Sequence, residues 1–411
     1  MRMARASVAV LLALALLAAI ACKPSDGQQA AGSPETKANT AVNSWEIGEN
    51  WHYGPQAVWE DTLVGIEMET EDFRVVNWYL STYNLRTREK TRVLELPEDH
   101  IVNAPAIHGD KVVWASLDRN EAEQQPLPKN QSVLNWDIFL LDLSTDEVRQ
   151  ITTEEHAQSH PAVYGDTVVW LDRRHGNSDQ YPYPYDVYAY DLRNGEETRL
   201  TSDTTAEGYD RVSMSGDLVV WADIRHADPE ITSHPSNDGA YDNEIYVYDL
   251  STGRETRVTA NPANDHYPAI DGGRIVWLRQ FAYREADVFA YDVAIGLETQ
   301  VSRSRYADHR PDVFRDRIVW TDARASKGNT SNDVIEIDAS TGERREPAAD
   351  IYLYDLEAQR AVKLTSPSNV GFSLWMNPCI GNDFIVYELN RQVGAIVYAM
   401  KLSDEDGGSP E

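Results

Sequence analysis

The chain has 411 residues, enough for two or three average domains or for one large all-β assembly. Apolar residues make up 42% and charged residues 25%, a globular composition that excludes wholesale disorder. The net charge of −30 repels phosphate backbones, which speaks against nucleic acid as a partner, and two cysteines, Cys22 and Cys379, permit neither a disulfide framework nor a cysteine-ligated zinc.

Arg2 and Arg5 precede an unbroken apolar run from Val8 to Ala21. Its 14 residues suit the hydrophobic stretch of a secretory signal and are too few to span a bilayer. The run ends Ala19-Ile20-Ala21-Cys22, which resembles the lipobox of bacterial lipoproteins. That resemblance implies cleavage after Ala21 and acylation of Cys22, and several acyl chains give lasting anchorage where one does not. Lys23, standing where an Asp would retain the protein at the inner membrane, implies the outer membrane in an organism with two. Residues 1–21 are therefore read as a lipoprotein signal peptide whose loss takes the charge to −32, since it carries Arg2 and Arg5 and no acidic residue. Residues 22–44 show no apolar period and are read as a lipidated tether, reaching about 25 Å as a flexible coil.

From Trp45 to about residue 404 the sequence repeats itself, and periods of this size mark propeller blades. The first signature is Pro-x-x-x-Gly-Asp-x-Val-Val-Trp: PAIHGDKVVW from Pro105, PAVYGDTVVW from Pro161, VSMSGDLVVW from Val212, PAIDGGRIVW from Pro268, PDVFRDRIVW from Pro311 and PCIGNDFIVY from Pro378. A degenerate copy, PQAVWEDTLVG, starts at Pro55, making seven. The second signature is acidic-Ile/Val-aromatic-x-Tyr-Asp-Leu, a turn, then a strand closing on Leu-Thr. It starts at Asp137, Asp186, Glu244, Asp287 and Asp350, with weaker copies at Tyr79 and Ile396. Each repeat thus predicts strands A and B from the first signature and C and D from the second, with tight turns inside each pair. Strands such as IVW and IYVYDL are apolar on both faces, as sheets stacked between neighbours require.

These repeats resemble the TolB-like, WD-type propeller repeats of secreted bacterial and archaeal proteins. The expected fold is all-β: a seven-bladed β-propeller of four-stranded antiparallel blades. The last repeat lacks a D strand, and the segment Trp45–Trp51 precedes the first A strand, so the N-terminal strand is expected to close the ring and hide its edges. Residues 405–411 read as a disordered tail, and a monomer is expected.

Length variation is confined to one kind of connection. From the repeat proline, or Val212, to the anchoring Trp or Tyr is nine residues in six repeats, and from the Asp of Tyr-Asp-Leu to the closing Thr or Ser is ten in five. The B–C connection instead runs 23, 16, 23, 10 and 30 residues from the second repeat to the sixth. B–C and D–A loops emerge at the same end of a meander, so one propeller face is plain and the other carries the loops where binding usually sits. Trp136, Tyr181, Tyr183, Tyr185, His234 and Tyr241 are the candidate ligand contacts on that face, for a protein or a glycan at the cell envelope. The tyrosines could equally pin a proline-rich loop to its blade. Asp333 begins a second imitation of the C-strand signature, either an extra hairpin or a competitor for the strand at Asp350.

Asp-x-Arg follows the Trp anchor at Asp172/Arg174, Asp223/Arg225 and Asp322/Arg324. A catalytic centre needs one constellation rather than several copies around a ring, so these read as structural ion pairs. His160, His266 and His309 lie just before repeat prolines, where a D–A loop enters the innermost strand. With Asp265 and Asp308 nearby they could hold a divalent metal at the channel mouth, giving an alternative function as a metal-dependent polysaccharide lyase or hydrolase. The Gly-x-Ser-x-Gly elbow, His-Glu-x-x-His, phosphate loops and dinucleotide fingerprints are absent from the sequence. The leading expectation is a lipid-anchored, non-catalytic propeller with no required cofactor, binding through its looped face.

Overall fold

The computed structural model describes residues 43–51, 57–71, 74–118, 134–175, 184–201, 206–207, 211–226, 242–282, 285–303, 308–322, 336–337, 344–345, 350–365, 377–390 and 395–402. Among them no helix is long and apolar enough to cross a membrane. The order of strands is a seven-fold repeat of A–B–C–D meanders. Blade 2, for example, is His100–His108, Lys111–Asp118, Asp137–Asp142 and Glu147–Gln150, paired antiparallel in that order. Blades 3 to 6 repeat it with A strands at Gln158–Tyr164, Ser213–Ser215, Asn264–Asp271 and Asp308–Phe314. Adjacent A strands touch in a closed cycle, from blade 1 (Ala57–Trp59) through to blade 7 (Cys379–Ile380) and back. The fold is a seven-bladed β-propeller whose innermost strands line a central channel.

One backbone bond marks the repeat in every blade. The residue after the C-strand Asp or its equivalent donates its N–H to a carbonyl in the A–B turn: Leu85 to Asp61, Leu143 to Asp110, Leu192 to Asp166, Leu250 to Asp217, Val293 to Gly273, Leu356 to Asp316 and Leu402 to Asp383, all at 2.7–3.0 Å. The signatures follow from such local bonds. The Asp of Tyr-Asp-Leu accepts from a backbone N–H two or three residues on, as Asp142 does from Ser144, Asp249 from Ser251 and Asp355 from Ala358, forming the Asx-turn of the C–D hairpin. The closing Thr or Ser accepts from the second residue of the C-strand signature, as Thr152 does from Ile138, Thr201 from Val187 and Ser302 from Val288, at 2.8–2.9 Å. Gly253 and Gly296 take φ +67° in the same hairpins, where a β-carbon would be strained.

Between blades, the anchoring Trp or Tyr of strand B stacks on its cross-strand partner in C. Trp114–Phe139, Trp170–Tyr188, Trp221–Tyr246, Trp277–Phe289, Trp320–Tyr352 and Tyr387–Tyr398 lie 5.5–6.0 Å apart. Such pairs contribute beyond their buried area. Each apolar cluster joins two neighbouring blades, as Val169, Leu171 and Val187 of blade 3 do with Val219, Trp221 and Tyr246 of blade 4.

The ring closes as the sequence predicts. Asn43–Trp51 pairs antiparallel with Ala395–Lys401 and supplies the missing D strand of blade 7. It begins two residues earlier than the repeat boundary suggests, and Trp51 also bridges to Glu67, so blades 7 and 1 share one continuous sheet. The ambiguity at Asp333 resolves too. Asp350–Asp355 is the C strand of blade 6, and Glu336–Ile337 with Arg344–Arg345 forms an extra two-stranded hairpin within the long B–C connection.

Candidate functional site

The Asp-x-Arg motifs of blades 3 and 4 are structural ion pairs, as their repetition implies. Arg174 lies over Tyr188 at 4.3 Å while pairing with Asp172 and with Glu197 of strand D. Arg225 does the same over Tyr246 with Asp223 and Glu255. Blade 5 reverses the order: Arg279 occupies the place of the Asp, and its partner Asp265 comes from the facing A strand, with Glu298 completing the clamp over Phe289. Arg324 lies outside the described residues.

That exchange bears on the metal candidates. Asp265 is fully buried, with one carboxylate oxygen 2.7 Å from Arg279 Nε and the other 2.6 Å from Asn261 Nδ2. Asp308 opens the A strand of blade 6, in register with Asp322. His160 Nδ1 lies 3.1 Å from Ser159 Oγ. His266 Nε2 is buried with no hydrogen-bond partner among the described residues, and its ring packs 4.8 Å from that of Tyr267. Among the described residues no three His, Cys, Asp or Glu side chains come together as a metal ion needs.

The three histidines nevertheless share one end of the channel. Burial lowers the pKa of each to about 4, assisted by Arg310 and Arg211 for His160, by His309 for His266 and by Arg310 for His309. All three are neutral at pH 7. Because the folded value lies below the unfolded 6.5, the unfolded chain takes up protons first on acidification. Their stabilisation is therefore complete above pH 6.5 and is lost as pH falls towards 4. The melting temperature of wild type should fall more between pH 7.5 and 4.5 than that of His266→Asn, in which the surface carboxylates titrate alike. Parallel declines would show that His266 is not held neutral.

Two residues absent from the sequence reading join this cluster. Arg211 donates from Nε to the carbonyl of Pro268 and from Nη2 to that of Pro311, both at 2.9 Å, so its side chain runs from blade 4 across to blades 5 and 6. Arg310 lies 5.7 Å from the Tyr267 ring. The available signal for Arg211 was the one repeat whose proline is replaced, by Val212.

Of the loop-face candidates, Tyr181, Tyr183, His234 and Tyr241 lie outside the described residues, as does Cys22. Trp136 is half-buried at the edge of the blade 2–3 cluster, and its carbonyl accepts from Gln158 N at 2.8 Å. Tyr185 is only 3% exposed and packs with Val169, Leu171 and Met214. Its ring belongs to the interblade core. Cys379 is buried in strand A of blade 7, and burial raises its thiol pKa well above the ordinary value.

No protein-family profile matches the chain, and no curated protein does. Solved structures do. The β-propeller domain of the trilobed protease from Pyrococcus furiosus, described with an open velcro topology, is 11% identical over 88% of this chain and 98% of its own, with a TM-score of 0.54. Oligogalacturonate lyase in complex with manganese is 12% identical over 90% of this chain and 95% of its own, at 0.51. Acylaminoacyl peptidase from Pyrococcus horikoshii is 12% identical at 0.52, and this chain spans 58% of its length. At such identities the likeness establishes a β-propeller fold and no activity.

Proposed function

We propose that the protein is a lipid-anchored propeller of the cell envelope that binds a protein or glycan through the face carrying its B–C and D–A loops. The observation behind this reading is the asymmetry of the ring. Among the described residues the A–B and C–D hairpins are short, whereas blades 2, 3, 4 and 6 bear long B–C connections at the opposite end. Anchorage rests on the lipobox-like Ala19–Cys22, and an outer-membrane location on Lys23. Replacing residues 176–183 and 227–241 with short Gly-Ser linkers is expected to leave the melting temperature nearly unchanged and to abolish ligand capture from envelope extracts. An unchanged capture profile would argue against the looped face.

The alternative, a metal-dependent polysaccharide lyase or hydrolase, is favoured by the unpartnered His266 Nε2 and by imidazoles already neutral for ligation. Elemental analysis of protein purified without chelators distinguishes the two. Stoichiometric Mn, Ca or Zn that is lost in a His266/His309 double alanine variant would favour the enzyme.

A further inference from the structure

We propose that the plain face of the ring carries a saccharide-binding site across blades 3, 4 and 5, in which a neutral pyranose lies on the ring of Tyr164 and donates hydroxyls to Asp217 and Asp249. The site stands at the end opposite the long loops, so it goes beyond the loop-face reading and can fail independently of it.

The A strands of blades 1 to 3 end, just before their A–B turns, in Trp59, His108 and Tyr164. Their side chains form a row, with ring centroids 5.2 Å apart for Trp59 and His108 and 4.0 Å for His108 and Tyr164. Gly165 donates its N–H to His108 Nδ1 at 3.1 Å, which fixes the imidazole and steadies the ring packed on it. Trp59 and His108 are half-buried, whereas Tyr164 is 37% exposed. Tyr164 also lines a cavity of about 410 Å³ that runs over the A–B turns of blades 4 and 5 and the C–D hairpin of blade 4. That size lies within the range of small-molecule sites. Ser215 Oγ accepts from Gly272 N at 3.0 Å and ties the two turns together. Gly216, Gly272 and Gly273 form part of the wall, and nothing beyond their chain neighbours stands within 4 Å of where a β-carbon would be, which leaves room for a flat ring close to the backbone.

The charged groups of this cavity are acceptors without a cation. Several carboxylates at equivalent turn and hairpin positions are closed by basic side chains: Asp61 by Arg86, Asp166 by Lys111, Asp191 by Arg193 and Asp292 by Arg274. Blade 4 departs from this. The first residue of strand B is Lys111 in blade 2 and Arg274 in blade 5 but Leu218 in blade 4, and among the described residues no basic side chain lines the cavity. Asp249 Oδ1 accepts from the hydroxyl and N–H of Ser251, at 2.6 and 2.9 Å, and from Thr252 N at 3.2 Å, which leaves Oδ2 for a ligand. Those bonds, the Ser251 hydroxyl first, hold the Asp249 carboxyl below its ordinary pKa, so it is ionised at pH 7. A pyranose satisfies both parts of this surface at once. Its C–H face stacks on an aromatic ring, and its hydroxyls donate to carboxylates in charge-assisted bonds. Two carboxylates with no cation disfavour an anionic sugar or a phosphate. An isolated ammonium is served less well, because a cation–π contact is weak where the ring is solvated.

The test is calorimetric titration of the purified full chain at pH 7 with the methyl pyranosides of glucose, galactose, mannose and N-acetylglucosamine, with methylammonium chloride as the cationic control. Saturable binding of at least one pyranoside is expected. Asp217→Asn should weaken it about tenfold, the effect of losing a hydrogen bond to a charged group, and Tyr164→Ala by a similar factor. Leu218→Arg, which copies Arg274 of blade 5, should pair with Asp249 and abolish binding. The chain in which residues 176–183 and 227–241 are replaced by linkers should still bind, which separates this site from the looped face. Binding of no pyranoside would overturn the proposal, as would binding unaltered in both Tyr164→Ala and Asp217→Asn, binding lost with the long connections, or binding of methylammonium alone. Tyr164 and Asp217 are exposed, so those two variants should melt with the wild type and decide the matter even if Leu218→Arg does not fold.

Discussion

A chain beginning at Tyr53 is expected to aggregate, or to melt far below one beginning at Ala41. The shorter chain lacks the strand Asn43–Trp51, leaving Ala395–Lys401 as an open edge and blade 7 with three strands. It also empties the seam between blades 7 and 1. Trp51 is fully buried there among Leu63, Tyr83, Phe384 and Val397, with Trp45 and Ile47 packed alongside. Trp45 meets Phe384 edge-on at 6.0 Å, donates from Nε1 to Tyr83 Oη at 3.1 Å and carries Arg88 over its ring at 4.3 Å. Removing one buried Trp typically costs about 3–5 kcal/mol, so two Trp and an Ile take away a large share of a native stability of about 5–15 kcal/mol. Differential scanning calorimetry of the two chains measures the difference. Equal melting temperatures would show that the ring does not depend on its N-terminal closure.

Cys22→Ser is expected to abolish lipid acylation, and with it membrane association of any processed chain, under the proposed anchoring. The thiol is the group alkylated first, so the variant should accumulate as unprocessed precursor or be released after cleavage by another peptidase. The processed chain carries −32, which anionic lipid repels, and no second apolar run in the sequence is long enough to span. Wild type should enter the detergent phase and take up labelled palmitate, and the Ser variant should take up none. Normal processing with continued membrane association would remove the lipoprotein assignment and point to a protein partner as the anchor.

The architecture was legible because each blade solves the same local problem with the same residues. The Trp anchor needs a ring across the B–C ladder, the C–D turn needs an Asp two or three residues before the N–H it binds, and the D strand ends where a hydroxyl reaches back to the C strand. These are short-range demands and leave a periodic trace. What escaped the sequence depends on contacts between blades or on an exchange of roles. Arg211 acts through carbonyls 57 and 100 residues away. Asp265 resembles a free channel carboxylate until Arg279 is seen opposite it in the ladder. Tyr185 shares a loop with Tyr181 and Tyr183, yet its own ring sits in the interblade core. The histidines were found because they stand beside repeat prolines, but the guanidiniums acting on His160, those of Arg310 and Arg211, come from other blades.

The most direct measurement is site-specific photo-crosslinking in the living source cell. p-Benzoylphenylalanine is placed at Gln180 or Ser236 in the long connections of blades 3 and 4, or at Asn194 in the C–D hairpin of blade 3. Adducts from Gln180 or Ser236, and none from Asn194, are what binding through the looped face predicts. Adducts from Asn194 alone would place the partner on the plain face and contradict it.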